Sequence, residues 1–273
     1  MKNISFKYTK EFILSDYFDL AQTLNCGQCF RFSEVNDGVF GGVVLDKYME
    51  FAVNQNVLSV FCDKDFSDDE ILSFFDLNRN YSEINKTLSN DETLKNAIEY
   101  AGGIRILTQP KWETLCSFIL SQNNNIKRIT GIIDRLCLNF GEDIGGGKYS
   151  FPSAEKLSAL TVEDLEPLRS GFRAKYVLDA ARKVTSKEVD FDKIDAADID
   201  TAREMLMQIN GVGPKVADCV LLFGFHKLDA FPKDVWIKKV MQEFYPDGLP
   251  DYAVKYGGIA QQYLFHYMRT KLN

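Results

Sequence analysis

Histidine is the scarcest of the chemically versatile residues, with only His226 and His266 in 273 residues. That count excludes a histidine-rich metal centre. Long apolar runs are missing too: no stretch approaches the roughly 20 residues that a membrane-spanning helix needs. No membrane association is therefore expected. Met1-Lys2-Asn3-Ile4-Ser5 lacks the apolar core of an export signal, so a cytoplasmic location is the expectation. Positive charge is also in short supply. Lys and Arg number 32 against 39 acids, a net charge of -7. At first sight this argues against a nucleic-acid partner. The deficit is local, however. Between Phe61 and Tyr100 ten acids (Asp63, Asp65, Asp68, Asp69, Glu70, Asp76, Glu83, Asp91, Glu92, Glu99) stand against Lys64, Arg79, Lys86 and Lys95. The rest of the chain is close to neutral, which leaves room for a locally positive surface elsewhere. The acidic run itself reads as a solvated helical face.

Six cysteines are present, and in a chain without an export signal they read as reduced thiols. Cys26-Gly27-Gln28-Cys29 is formally a CxxC. It is open to reading as a redox pair, as half a metal site, or as two small buried residues. No second Cys or His pair sits nearby to complete a metal site.

The first sixty residues read as β. Cys29 to Phe32, Val39 to Leu45, Met49 to Val53 and Val57 to Phe61 alternate β-branched or aromatic residues with polar ones. Asn36-Asp37-Gly38 and Asn54-Gln55-Asn56 supply turns, so the pattern predicts an antiparallel meander. From Ser67, a candidate cap with Glu70 three residues on, the period becomes helical. Ile71, Leu72, Phe74 and Phe75 carry it first. Trp112, Leu115, Phe118, Ile119 and Leu120 repeat it, as do Ile126, Ile129, Ile132, Ile133 and Leu136. Breaks fall near Gly102-Gly103 and Pro110. Gly145-Gly146-Gly147 marks a loop, with short helices expected from there to the end. Strands first and helices after predict an α+β fold. The expected division is an N-terminal antiparallel-sheet domain with a helical tail over 1–105 and a helical core over 106–273.

The chemistry concentrates between Leu206 and Val240, LMQINGVGPKVADCVLLFGFHKLDAFPKDVWIKKV. A helix ends at Gln208-Ile209-Asn210, Gly211-Val212-Gly213 turns tightly, and Pro214 opens a second helix. Together, over about 202–225, they form a helix-hairpin-helix. Glycines let the backbone turn sharply and approach a neighbour closely. The amides at the second helix's N-terminus can hold a phosphate oxygen without reading sequence. Taken alone, such a turn is equally a plain helix connection. Lys215 opens the second helix, a poor choice for helix stability at the positive dipole end, which points instead to work as a nucleophile. Cys219 lies one turn further on the same face. Asp234, after Phe231-Pro232-Lys233, stands where an N-cap is expected, and capping alone would explain it.

The combination is more specific than its parts. A GVG hairpin, a lysine two residues later and a Pro-x-Asp about twenty residues beyond resemble the helix-hairpin-helix, Gly/Pro-Asp superfamily of DNA glycosylases. Four further stretches narrow the resemblance to the 8-oxoguanine DNA glycosylases of the eukaryotic type and their bacterial relatives. They are Leu24 to Arg31, Ser121 to Arg128, Ser170 to Tyr176 and Ala260 to Phe265, in family order. The resemblance implies that Lys215 is a Schiff-base nucleophile and that Asp234 stabilises charge on the sugar. It implies a pocket in which Phe265 stacks on a flipped base and Gln261 bonds its pairing edge. The Gly27 carbonyl would accept from N7–H, with Cys219 and Pro232 completing the wall. Asn123, Arg128 and Arg173 would face the cytosine left behind, Phe172 would act as a wedge, and Gly211 and Gly213 would meet the DNA backbone. Phosphate contact or surface charge is the plainer reading of both arginines, and Asn123 could equally cap a helix.

Two positions depart from the family pattern. Phe172 stands where tyrosine is frequent, and Trp236 where animal members have histidine. The resemblance further implies a bifunctional glycosylase and AP lyase, a monomer associated with the nucleoid, whose partner is double-stranded DNA containing an oxidised purine. It implies no cofactor and no metal. No cysteine follows Cys219, so the iron–sulfur cluster of related glycosylases has no ligands here. Two alternatives stay open. One is a glycosylase of the same fold for another lesion. The other is a non-catalytic binding module, which would need the glycines but not Lys215, Asp234, Gln261 or Phe265.

Overall fold

A computed structural model describes residues 6–271, so the N-terminal stretch Met1 to Ser5 read above lies outside the described residues. The chain opens with β1 (Tyr8–Ile13), α1 (Leu20–Asn25), β2 (Phe32–Asn36), β3 (Val39–Val44), β4 (Lys47–Asn54) and β5 (Val57–Cys62). It continues through α2 (Asp68–Phe74), α3 (Tyr81–Leu88), α4 (Glu92–Ala101), α5 (Lys111–Ser121) and α6 (Ile126–Phe140). A small hairpin, β6 (Asp143–Gly145) and β7 (Lys148–Tyr149), carries the triple glycine at its turn. Then come α7 (Ala154–Ser158), a 3-10 turn (Glu166–Leu168), α8 (Arg173–Thr185), α9 (Phe191–Ala196) and α10 (Ile199–Met207). The last elements are α11 (Pro214–Phe223), α12 (Val235–Phe244), α13 (Asp251–Val254) and α14 (Gly257–Lys271). Among the described residues no helix is long and apolar enough to cross a membrane.

The α+β expectation holds: a five-stranded antiparallel sheet in the order β1-β5-β4-β3-β2 precedes a helical body. The meander β2 to β5 was predicted, but three details differ. Cys29 to Arg31 precede β2 instead of belonging to it. A short helix, α1, interrupts the β region, capped by the Asp19 carboxylate, which accepts from the Gln22 N–H at 2.8 Å. The edge strand β1 pairs with β5, from Tyr8 opposite Cys62 to Ile13 opposite Val57. Its Lys10 and Glu11 suit an exposed edge and mask the strand signal.

Alternation places Leu58, Val60 and Cys62 of β5, with Met49 and Phe51 of β4, on the covered face. Phe75 closes this face edge-on to Phe51, ring centroids 5.1 Å apart, and to Phe18, 5.5 Å apart. Fully burying a side chain of this size is worth about 1.5–3 kcal/mol. The Ser67–Glu70 capping box forms as expected and starts α2. A second, larger core joins the helices. It takes in Tyr81, Ile84, Leu88, Leu94, Ala97 and Ala101, so by packing α3 and α4 go with the helical body and not with the sheet. The expectation of short terminal helices fails at α14. It runs 15 residues with Gly257 to Leu264 all buried, so no polar face marks it in the sequence.

Candidate active site

The helix-hairpin-helix forms as expected, with Gln208 closing α10 and Pro214 opening α11. It is bolted in place. Arg203 of α10 pairs with the buried Asp218 of α11, Nε to Oδ1 2.6 Å. Asn210 donates its backbone N–H and its side-chain amide to Asp179 of α8 at 2.7 and 3.0 Å. The two glycines of the turn serve different purposes. Gly211 has φ +81°, and a Cβ there would sit 2.4 Å from the Tyr176 ring, so both conformation and space require glycine. Gly213 caps α11 with ordinary dihedrals, no side-chain cap, and nothing within 4 Å of an added Cβ. No protein atom explains its lack of a side chain; the open side is where an external group would approach the α11 amides.

Lys215 stands in the first turn of α11, half-buried, with its ammonium 5.4 Å from the centre of the Phe118 ring. One turn on, Cys219 is buried beside it. Burial pushes this thiol up, against the pull of the nearby Lys215 ammonium. Asp234 is the N-cap of α12, its Oδ1 accepting from the Ile237 N–H at 2.8 Å. The cap fixes the rotamer of the carboxylate, so capping and chemistry are compatible uses of one residue.

Two cavities meet at this pair. One is a narrow slot of about 60 Å³ whose walls include Gly27, Phe118, Cys219, Pro232, Gln261 and Phe265. The other is an open groove of about 710 Å³ lined by Asn123, Phe172, Gly213, Lys233, Val235 and Lys238, among others. Lys215 and Asp234 line both. Inside the slot, the Oε1 of the buried Gln261 has no hydrogen-bond partner, a cost of about 1–3 kcal/mol that a polar ligand would relieve.

The slot's far wall is Gly27, at φ +94°. It is held by neighbours that sequence reading did not single out for this purpose. Gln28 is buried and donates to the carbonyls of Thr23 and Arg105 at 2.9 and 2.8 Å, while its Oε1 accepts from the Leu107 N–H at 2.9 Å. Gln262 of α14 donates to the Cys26 carbonyl at 3.2 Å. A buried glutamine with both ends of its amide engaged, as in Gln28, is a positioning device. Cys26 and Cys29 are free and buried, with burial pushing the Cys26 thiol up to about 11. They read as packing residues around Gly27.

The other candidates separate by exposure. Asn123 is exposed at φ +46°, a left-handed conformation that asparagine tolerates. The cap of α6 is Asn125, accepting from the Arg128 N–H, so the capping alternative for Asn123 does not hold. The Arg128 side chain is exposed at the first turn of α6. Phe172 is half exposed at the start of α8. Arg173 departs from expectation, being 3 % exposed. Its guanidinium donates to the Gln122 carbonyl (Nε, 2.7 Å, and Nη2), to Asn123 O at 2.8 Å and to Ser170 O at 3.1 Å. These contacts use four of its five N–H groups. In this conformation it braces the Asn123 loop from behind.

Comparison with known proteins shows the family. Residues 11–115 match the family model described as 8-oxoguanine DNA glycosylase, N-terminal domain. Residues 116–250 match the HhH-GPD superfamily base excision DNA repair protein model. The chain belongs to the 8-oxoguanine DNA glycosylase family. Among its relatives, the N-glycosylase/DNA lyase of Saccharomyces cerevisiae is 43 % identical over 52 % of this chain and 42 % of its own length. The chain thus spans less than half of that relative. The probable N-glycosylase/DNA lyase of Methanothermobacter thermautotrophicus is 34 % identical over 67 % of this chain and 69 % of its own. The solved structure of MBOgg1 in complex with a low affinity DNA ligand is 41 % identical, with a TM-score of 0.89 over 97 % of this chain and 96 % of that one. The Clostridium acetobutylicum 8-oxoguanine glycosylase/lyase, solved in complex with double-stranded DNA containing cytosine opposite 8-oxoG, is 34 % identical. Its TM-score is 0.86 over 99 % of this chain and 100 % of that one.

Proposed function

We propose that this protein excises 8-oxoguanine lying opposite cytosine in duplex DNA and then nicks the strand. The observation that carries the reading is the placement of Lys215 and Asp234 at the one boundary shared by the buried slot and the open groove. The groove takes the duplex, with Lys233, Lys238 and the α11 amides beside Gly213 meeting phosphates. The lesion swings out into the slot, where Phe265 stacks on it, Gln261 Oε1 accepts from its pairing edge, and the Gly27 carbonyl accepts from N7–H. Guanine has no hydrogen at N7, so the same carbonyl would face an acceptor, a costly mismatch in a buried site. At about 60 Å³ the slot must widen as the base enters. Asn123 and Phe172 occupy the space the base vacates. Arg128 faces the orphaned cytosine, and Arg173 does so after exchanging backbone carbonyls for base acceptors.

The Lys215 ammonium first gives a proton to solvent; the resulting amine attacks C1′ and the C1′–N9 bond breaks, its electron pair leaving with the base, which takes up the proton that the attacking nitrogen sheds. Asp234 stabilises the positive charge that develops on the sugar. The sugar ring then opens to a Schiff base between C1′ and the lysine nitrogen. Loss of a C2′ proton from this intermediate expels the 3′ phosphate and breaks the strand. The bland reading of Asp234 as a cap alone leaves its position beside Lys215 unexplained. A partner of this kind places the protein with the nucleoid.

The test is borohydride trapping on a duplex with one 8-oxoguanine opposite cytosine. An adduct is expected that needs both the lesion and Lys215. Lys215→Gln should still bind the duplex and lose excision by roughly 10⁴-fold or more. Retained excision overturns the assignment. A folded, bound wild type without an adduct would favour another lesion or a non-catalytic binding module.

A further inference from the structure

α14 supplies the slot with Gln261 and Phe265, but one stripe of the same helix also reaches past the slot to the turn opposite. Gln262, Phe265 and Arg269 fall at i, i+3 and i+7 on one face. Gln262 holds the Cys26 carbonyl, and Arg269 Nη2 donates to the Asn25 carbonyl at 3.1 Å. Two consecutive carbonyls immediately before Gly27 are therefore tied to the helix that carries Phe265. Arg269 also lies over the Phe265 ring, 5.2 Å from its centre. A Cβ on Gly27 would find Arg269 Nη1 at 3.5 Å and Phe265 Cε1 at 3.7 Å, so guanidinium, ring and turn are in contact around one point.

We propose that Arg269 is a specificity-determining positioning residue, latching the Gly27 turn to the wall that bears Phe265 and so fixing the gap between them. The inference rests on reading the slot as a base pocket. Asn25 is the last residue of α1, where carbonyls lack helical partners and a cation is welcome. A planar guanidinium can donate in its own plane while its face lies on an aromatic ring. An ammonium is a strongly hydrated point charge with no flat face to lay on the ring, so it would hold the same two contacts less rigidly. The latch thus couples the two walls that recognise different features of one base, its face and its N7–H edge. Without it the turn and the ring would settle independently, and the Gly27 carbonyl would lose its register against a stacked base.

The experiment compares wild type, Arg269→Ala and Arg269→Lys in single-turnover excision of 8-oxoguanine opposite cytosine and in cleavage of a preformed abasic site, which presents no base to the slot. Thermal melting serves as the control for folding. Arg269→Ala is expected to slow excision about tenfold or more while abasic-site cleavage changes less than about twofold, with Arg269→Lys in between. Equal loss of both activities, or loss of neither, overturns the latch while leaving the pocket reading intact. A wild type that cleaves abasic sites but does not release 8-oxoguanine overturns the pocket reading, and the latch with it.

Discussion

The slot and the groove share Lys215 and Asp234 but are built from opposite materials. The slot is narrow, lined in part by Phe265, and contains a buried amide oxygen without a partner. The groove is wide and edged by exposed Lys233, Lys238, Asn123 and Phe172. Under the proposed function, the first is organised around differences of one hydrogen bond and the second around charge and shape that any duplex offers. That reading separates selection and grip in space, with the proposed reacting groups at their border. It follows that substitutions should sort by side: slot changes alter which base is taken, and groove changes alter how tightly any DNA is held.

The largest effect belongs to the border itself. Asp234→Asn keeps a good N-cap, so melting temperature and duplex affinity should stay close to wild type while excision falls by about 10²–10³-fold. A parallel loss of stability would reduce Asp234 to a cap and remove the border. Next comes the glycine pair. Gly211→Ala must relieve a clash with Tyr176 at positive φ and should cost roughly 2–4 kcal/mol in chemical denaturation. Gly213→Ala meets nothing and should melt normally, yet weaken binding to damaged and undamaged duplex alike. If Gly213→Ala binds like wild type, the groove does not extend to the hairpin.

Gln261→Leu sharpens the slot side. Removing an unsatisfied buried acceptor should leave the free protein as stable or more so, while affinity for the lesion duplex drops about tenfold and affinity for plain duplex is unchanged. The smallest effect concerns Cys26. Burial raises its thiol from 9.0 to about 11, so the unfolded chain gives up this proton before the folded one. Stability from this group is complete below pH 9 and falls as pH rises toward 11. In Cys26→Ala, denaturation midpoints between pH 9 and 11 should show a shallower decline.

Much of this was readable from residue order because the signals are local. The GVG turn, Pro214 opening a helix and the Asp234 cap are decided within four residues, and each forms as read. The meander is similarly local. What was hidden depends on tertiary context. Gln28 looks like any polar residue until its amide is seen joined to Thr23, Arg105 and Leu107. Arg173 sits in a motif that suggests a surface cation, yet burial and three carbonyl acceptors turn it into a brace. α14 was underestimated because helices buried on most sides lack the polar stripe that periodicity detects. Arg269 gave no signal as a tie to the Gly27 turn, since the Asn25 carbonyl it bonds is 244 residues away along the chain.

The turn at Gly27 has one further consequence. Under the proposed reading, the feature that tells damaged from intact guanine is touched by a main-chain oxygen. Every residue type carries the same carbonyl, so no codon change can swap this reader for one of different chemistry. Mutation can only shift it. The selectivity of the enzyme is thereby inheritable as a position, guarded by Gln28 and Gln262, whereas the bases it tolerates can drift through Gln261 and Phe265, whose side chains are free to vary.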